Sequence, residues 1–279
     1  MQHINTDNSA SVGTSATVLP PHGRIPCSVC FEPGMAEGRP HPQWRMTNDP
    51  GAWGGQTPTT LVLGFSKGST QADIYRTGRF DDVPFARMRP RLERELRHFG
   101  VLDADRSIDE ALSDPSGDVA FGSLIRCSVA RWDARAKHGA GEYGCSGALI
   151  KKSFDEIPDI ISRCSERFLR HLPSSTREVY LLGNDTGYAE RCQALLKLLF
   201  PVDFRRLNEM CAVADGRLWA HIGHPSGSNG HFATWLTGDK NGKGRKRFLV
   251  EQALERWRSK GEISRVSSCV FRARARWSD

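Results

Sequence analysis

The chain has 279 residues, a formal net charge of +7 and 38% apolar residues, which suffices for one large globular domain. It contains no apolar run of about 18 residues or more, so we expect no membrane span. The N-terminus has neither the charged nor the apolar region of a signal peptide, which predicts a cytoplasmic location, on the nucleoid if bacterial. In such a reducing compartment, eight cysteines favour metal ligation or burial over disulfides.

The positive charge is concentrated near the C-terminus. Residues 240–279 contain twelve Lys or Arg and four Asp or Glu, a balance of +8, so the remaining chain sums to −1. A local basic patch is typical of proteins that bind a polyanion such as nucleic acid, although a solvated helix and tail would look the same.

Apolar patterns predict strands and helices in alternation. Residues 1–24 are polar and predict a disordered tail, and the Gly- and Pro-rich residues 25–58 predict an irregular wrap around a main domain of residues 25–260. The predicted strands are residues 59–63, 119–128, 179–182 and 218–222. The predicted helices are residues 84–100, 157–171, 186–200 and 248–258. The other segments are a long loop at 65–83, a Gly-rich insertion at 129–148 and a basic extension at 261–279. This alternation favours an α/β fold with a mainly parallel sheet between helix layers.

Three of the predicted strands end in loops rich in Gly, Ser, Asn and His. The loops are Gly64-Phe65-Ser66-Lys67-Gly68, Gly183-Asn184-Asp185 and Gly223-His224-Pro225-Ser226. Because parallel strands end at one edge of a sheet, we expect these loops to converge on a ligand. The first loop has three residues between its glycines, and Lys67 precedes the second glycine. It is therefore not a P-loop, and no nucleotide cofactor is expected.

In this order, the motifs resemble the uracil-DNA glycosylase superfamily, and most of all its iron–sulfur branch. Residues 64–68 match the family's Gly-x-x-x-Gly loop, Pro84-Phe85 its Pro-Phe segment, and His224-Pro225-Ser226 its His-Pro-Ser loop. The resemblance extends from Cys27 to about Lys260. It implies a three-layer αβα sandwich, a bound iron–sulfur cluster and excision of a base from DNA.

Four cysteines form a candidate metal site. Cys27 and Cys30 are spaced so that both can reach one metal, and the order of cysteines in the iron–sulfur branch adds Cys127 and Cys164 as ligands of a [4Fe–4S] cluster. Cys145 is a rival for the fourth position, and four thiolates also suit Zn²⁺. The remaining cysteines, Cys192, Cys211 and Cys269, are expected to be buried apolar residues.

His224 is the predicted catalytic donor, because a loop histidine can donate a proton or hydrogen bond to a departing base. The family has an acid or Asn at the second or third position of the first loop, where this chain has Phe65 and Ser66. The missing carboxylate is therefore sought in Asp73 or Asp185, and Gln71 is a candidate to orient water.

Two further departures concern recognition. Ser123 replaces the Asn with which the iron–sulfur branch recognises uracil, and Ser228 replaces a Leu that wedges into the duplex. The residues expected to contact substrate are Gly64, Phe65, Ser66, Ser123 and Asn184. The residues expected to contact DNA are Lys67, Ser69, Ser226, Ser228, Asn229, Arg272, Arg274 and Arg276. The three arginines alternate, so in an extended segment they would face one way along the phosphates.

These features together predict a monomeric, monofunctional DNA glycosylase. The changes remove contacts to uracil and leave hydroxyl and amide groups, so we expect a roomier polar pocket for a non-standard base. A bulky modified cytosine, as in some phage DNA, is the preferred target, with a role in host defence. The alternatives are a uracil-DNA glycosylase in base-excision repair, a non-catalytic DNA- or RNA-binding protein, and a hydrolase of free nucleosides or nucleotides.

Overall fold

The structure is a computed structural model that describes residues 17–136, 139–145, 147–238 and 242–274, with residues 243 and 260–274 described by backbone alone. The strands are β1 Gly23–Arg24, β2 Glu37–His41, β3 Trp44–Thr47, β4 Gly51–Gly54, β5 Thr60–Gly64, β6 Val119–Ser123, β7 Ser128–Asp133, β8 Glu142–Gly144, β9 Glu178–Leu182, β10 Arg205–Arg206, β11 Cys211–Ala214 and β12 Arg217–Ile222. The helices are α1 Ser69–Thr77, α2 Arg89–His98, α3 Ile108–Ser113, α4 Ala148–Glu156, α5 Pro158–Leu169, α6 Thr186–Leu199, α7 Phe232–Thr237 and α8 Gly242–Arg274.

The main sheet has eight strands in the order β1-β4-β6-β5-β9-β12-β11-β10. Its central strands β6, β5, β9 and β12 pair in parallel, and the strands at either edge pair antiparallel. The fold is therefore α/β, as predicted, but the sheet is mixed where a mainly parallel one was expected, because four of its seven strand pairs are antiparallel.

Apolar clusters cover both faces of this sheet. Val62 packs in one cluster with Leu92 and Leu96 of α2, whereas its neighbour Leu61 packs in the other with Ile161 of α5 and Leu196 of α6. Burial on both faces explains why β5 and β9 are almost continuously apolar in the sequence.

A second, four-stranded antiparallel sheet has the order β2-β3-β7-β8. Glu156, at the end of α4, holds it in place. The carboxylate accepts from Arg131 Nε and Nη2 at 2.6 and 3.0 Å and from the Trp44 indole at 2.7 Å. Arg131 above all lowers the pKa of Glu156 to about 2. The sequence did not predict this sheet, because its strands lie in the expected irregular wrap and Gly-rich insertion.

The ordered fold begins earlier than the predicted boundary at residue 25. Leu19 is buried in the core, and its amide donates to the Gln56 carbonyl at 2.9 Å. Gly23 and Arg24 then form β1. Residues 1–16 lie outside the described residues.

Two predicted elements are divided. The strand predicted at 119–128 ends at Ser123, where Leu124 and Ile125 turn to donate to the carbonyls of Gly64 and Phe65, and β7 continues in the second sheet. The helix predicted at 157–171 starts only at Pro158. Ile157 is non-helical, with φ −135° and ψ 45°, because a proline disfavours helical geometry in the preceding residue.

Two segments predicted without helix are helical. The expected loop at 65–83 contains α1, and the basic extension continues α8 through Arg274. Arg272 and Arg274 therefore lie on a helix, where residues two apart do not share a face, so the extended arrangement is wrong. Arg276 lies outside the described residues. No helix that the structure describes is long and apolar enough to cross a membrane.

The buried His221 is expected to lower the stability of the folded protein in acid. It is 2% exposed in β12, and its Nδ1 donates to the Gly183 carbonyl at 2.9 Å. Burial lowers its pKa from 6.5 to about 4, so the unfolded chain takes up the proton first as the pH falls. His221 contributes about 3 kcal/mol to the free energy of unfolding. This contribution is fully present above pH 6.5 and is lost as the pH falls to about 4.

Urea unfolding of wild type and His221→Gln at neutral and acidic pH measures this loss. The variant should lose less stability in acid than wild type, whereas the exposed control His171→Gln should behave like wild type. Equal acid losses in all three proteins would contradict the role of His221.

Candidate functional site

The predicted loops meet at one edge of the sheet. The four central strands lie side by side in the order β6, β5, β9, β12. The chain crosses from β5 to β6 in one direction and then returns past β5 to β9 and β12, so the direction of the connections reverses between β5 and β9. In doubly wound α/β proteins, ligands bind outside the carboxyl ends of the strands at such a switch point. Gly64 ends β5, Ser123 ends β6, Leu182 ends β9 and Ile222 ends β12.

A narrow cleft opens at the ends of β5 and β6. Five of the predicted site residues border it, together with Trp53, Pro84, Phe85 and Gly122. These five are Gly64, Ser66, Lys67, Gln71 and Ser123. The sequence thus identified much of the lining, although it gave no signal for Trp53.

Phe85 forms an aromatic wall of the cleft. Its ring lies 3.8 Å from the point where a Cβ on Gly64 would stand, and it packs edge-on against Phe121 with ring centroids 6.0 Å apart. Its φ is +53°, which is uncommon for a bulky residue and is held by surrounding packing. Only 6% of Phe85 is exposed, so the ring packs mainly within the apolar core and closes one side of the cleft.

The serine hydroxyls of the cleft are engaged with the main chain. Ser66 Oγ donates to the Cys127 carbonyl at 3.2 Å and accepts from the Val129 amide at 3.1 Å. Ser123 Oγ donates to the Ile125 carbonyl at 2.8 Å. These hydroxyls therefore fix the loops, which differs from the roomy hydroxyl-lined pocket that was predicted.

Lys67 is buried, not presented to DNA. It donates to the Arg126 carbonyl, and its ammonium lies 3.4 Å from Asp49 Oδ1. Asp49 in turn accepts from the Ser128 amide at 2.6 Å and hydroxyl at 2.5 Å. Burial lowers the pKa of Lys67, and Asp49 opposes this shift. With 5% of the side chain exposed, the predicted phosphate contact does not fit this placement.

Gln71 fixes the start of α1. Its Oε1 accepts from the Gly68 amide at 3.1 Å, so the amide nitrogen is the end of the side chain that remains as a donor. This bond explains why a helix starts directly after a glycine-framed loop.

His224 is held as a neutral hydrogen-bond donor. The Ser226 amide donates to Nδ1 at 3.2 Å, which places the proton of the neutral ring on Nε2. Burial lowers the pKa of His224 and so favours this neutral form. Asn229 Nδ2 donates to the His224 carbonyl and Arg91 Nη1 to the Ser226 carbonyl, both at 2.8 Å.

Glu95 lies directly behind this loop and was not predicted. It is fully buried on α2, and a Cβ added to Gly223 would stand 2.8 Å from its Oε1. Burial raises the pKa of Glu95 well above its ordinary value, more than the Gly223 amide and Trp235 indole lower it. The only sequence signal is its position three residues after the buried Leu92, on the inward face of the helix.

Neither candidate carboxylate borders the cleft. Asp73 lies on α1 with 69% of its side chain exposed and pairs with Arg76 at 3.0 Å. Asp185 is the N-cap of α6, where its Oδ1 accepts from the Tyr188 amide at 3.0 Å and lies 3.3 Å from Lys151 Nζ. Of the predicted water-activating groups, the structure places Gln71 alone in the cleft.

Two predicted substrate contacts lie deeper in the protein. Phe65 packs in the core against Phe154 and Tyr188, with ring centroids 6.5 and 6.3 Å away, so its predicted substrate contact is wrong. Asn184 is buried after β9, and no group among the described residues accepts from its amide nitrogen. It remains a candidate because it lies at the switch point.

Among the polar residues predicted to contact DNA, Ser69 and Ser228 are exposed, whereas Ser226 and Asn229 are half-buried. Ser69 is exposed in the first turn of α1, and Ser228 is exposed beyond His224. The hydroxyls of Ser226 and Ser228 lie 2.8 Å apart, and Asn229 Oδ1 accepts from the His231 amide at 3.1 Å. Nothing in these placements conflicts with the predicted DNA contacts.

Cys27, Cys30, Cys127 and Cys164 border one cavity. Cys145 borders a different one, beside α1. Within the described residues, no three His, Cys, Asp or Glu side chains are close enough together to hold a single metal ion.

The surroundings of these four cysteines are positively charged. Arg126, Arg163 and Arg167 also border the cavity, and the Arg126 amide donates to Cys164 Sγ at 3.2 Å. The Arg126 guanidinium is 2% exposed, and its Nε and Nη1 have no partner among the described residues. Burial raises the pKa of Cys127 to about 12 and of Cys164 to about 11, so without a metal these thiols stay neutral. A thiolate-bound cluster, which carries negative charge, fits this donor set.

Comparison with known proteins adds no family assignment. No protein-family model matches the sequence, and no curated protein matches it. The features that bear on function are therefore the cleft, the His224 loop and the cysteine cavity.

Proposed function

We propose that this protein is a monofunctional DNA glycosylase on a three-layer αβα sandwich of the uracil-DNA glycosylase type. The cleft at the switch point carries the proposal, because Phe85 borders it and the neutral His224 lies on the loop after β12 at the same edge of the sheet. Two strand spacings separate β5 from β12, so the His224 loop lies about 10 Å from the Gly64 loop along the sheet edge. The cleft itself has a volume of about 20 Å³, so a nucleotide extruded from the helix would place its base against Phe85 only when the surrounding loops move apart.

In the proposed reaction the bond between the base and the sugar C1′ breaks, and its electron pair leaves with the base. The His224 Nε2–H donates to the base as negative charge develops there. Water then forms the new bond to C1′, and its proton passes to the released base or to solvent. Gln71 orients this water through its amide nitrogen. No lysine is assigned to form a Schiff base, because Lys67 is committed to Asp49 and the Arg126 carbonyl.

The proposed target is a non-standard base, with a bulky modified cytosine preferred. The support is that Ser123, at the position where the related branch recognises uracil, uses its hydroxyl on the Ile125 carbonyl. The side-chain amides of Gln71 and Asn184 are the groups left for polar recognition. Action on modified phage DNA, and hence a role in defence, is part of this proposal.

The proposed cofactor is a [4Fe–4S] cluster held by Cys27, Cys30, Cys127 and Cys164, with Zn²⁺ as the alternative. Bound there, it would supply a structural link between the N-terminal wrap, the start of β7 and α5. The buried Arg126 guanidinium would balance its charge.

A base-release assay on a panel of substrates tests the proposal. DNA carrying uracil, cytosine, hydroxymethylcytosine or glucosylated hydroxymethylcytosine is incubated with the protein, and abasic sites are detected by alkali cleavage. Release of a modified cytosine is the expected result, and release of uracil alone would identify a repair enzyme instead. No release from any substrate, with salt-sensitive DNA binding retained, would indicate a non-catalytic DNA-binding protein.

Gly223 should be essential for the position of His224. A Cβ there would stand 2.7 Å from Trp235 Cδ1 and 2.8 Å from Glu95 Oε1, and both side chains are fully buried. Gly223→Ala must therefore shift the adjacent backbone, and a displacement of about 1 Å can cost about 10²-fold in rate.

Gly227→Ala is the matched control in the same loop, because no atom lies within 4 Å of its Cβ position. Single-turnover base release should fall strongly in the first variant and stay near wild type in the second. Equal rates for the two variants would refute the proposed role of the loop geometry.

A further inference from the structure

A groove of about 600 Å³ lies beside the cleft, between α1 and the four-stranded sheet. Ser69, Ala72 and Arg76 line it from one face of α1, and Arg45 and Tyr143 line it from the sheet. Lys67 borders both the groove and the cleft, so the two cavities adjoin.

Two arginines on this groove lie over tyrosine rings. Arg45 Cζ lies 4.0 Å from the Tyr143 ring centroid, and Arg24 Cζ lies 4.0 Å from that of Tyr75. Arg24 is anchored further by donating to the Tyr75 carbonyl at 2.7 Å. For Arg45, which is exposed, no acceptor is found among the described residues. Stacking thus orders the Arg45 guanidinium while leaving its fork of N–H donors for an acceptor from outside.

The charge around the groove favours an anionic ligand. Arg24, Arg45 and Arg76 face two acidic residues, Glu37 and Asp73, and Asp73 already pairs with Arg76 at 3.0 Å. The positive charge of the buried Lys67 is balanced by the negative charge of the buried Asp49. An excess of positive charge remains, and Arg24 and Arg45 carry it at the exposed rim.

We propose that this groove binds the single-stranded DNA segment next to the nucleotide held in the cleft, with Arg45 and Arg24 on its phosphates. This inference rests on the proposed function, since it needs a nucleotide in the cleft. Tyr143 acts as a positioning residue that keeps Arg45 ordered. Guanidinium groups that aromatic rings hold in place can pair with phosphate oxygens through two parallel hydrogen bonds, and a flexible single strand can follow the groove.

Fluorescence anisotropy with a labelled single-stranded oligonucleotide of unmodified bases tests the groove. Arg45→Ala should weaken binding about tenfold, and it should reduce the slope of log affinity against log salt by about 0.7. Tyr143→Phe should bind like wild type, and Tyr143→Leu should resemble Arg45→Ala. The control Arg205→Ala changes an exposed arginine on β10, at the far edge of the main sheet, and should have no effect.

Unmodified DNA keeps this test separate from catalysis, which the base-release assay reports on its own. Wild-type affinity and salt slope in Arg45→Ala would overturn the proposal, as would failure of the wild-type protein to bind the strand. An equal loss of affinity for the fully paired duplex would overturn the assignment to a single strand.

Discussion

Replacing His224 with alanine is expected to slow base release about 10²- to 10³-fold, the usual effect of removing one donor to a developing negative charge. The structure gives the physical reason. The Ser226 amide occupies Nδ1, so Nε2 carries the proton, and burial keeps the ring neutral. A neutral donor stabilises the departing base without requiring prior protonation of the enzyme.

The matched control is His231→Ala, a change of an exposed histidine at the end of the same loop. It should leave the rate unchanged, and both variants should bind DNA like wild type. Because burial lowers the pKa of His224, the single-turnover rate should persist as the pH falls through 6.5, the ordinary histidine value. A full rate in His224→Ala would eliminate this residue as the donor.

The second large effect is expected at the cysteine cavity. Cys164→Ser should abolish stoichiometric metal binding and cost several kcal/mol of unfolding free energy, because metal binding is coupled to folding. The three remaining thiols of the cavity would leave one position of a four-thiolate site without its ligand.

Iron, zinc and sulfide analysis of the anaerobically purified wild-type protein gives a measurement that does not depend on the variant folding. Iron with inorganic sulfide supports the cluster, and zinc supports the alternative. Cys145→Ala and Cys192→Ala are controls, since neither residue borders the cavity, and both should retain metal. Wild-type protein without iron or zinc would contradict the proposed site.

The strands that hold the site could be predicted closely because both of their faces are buried. β5, β9 and β12 each form an almost continuous apolar run, and the Gly, Asn or His residues that follow mark where each run ends. Parallel pairing then brings these ends together. The second sheet gave no such signal, since β2 and β8 have no buried residue and therefore no apolar run.

Side-chain roles at the site were harder to predict, because tertiary contacts decide which way a loop residue points. Phe65 turns into the core and Lys67 into a buried pair with Asp49, which lies eighteen positions earlier in the sequence. Glu95 resembles the other charged residues of α2, and only the packing of Gly223 and Trp235 shows that it is enclosed.

The most direct test of the central claim is the mass of a modified DNA strand before and after incubation with the protein. Hydrolysis of the N-glycosidic bond predicts a strand that has lost the base and gained one water, together with the free base in solution. A strand of unchanged mass, or one cut at the sugar without addition of water, would contradict a monofunctional glycosylase.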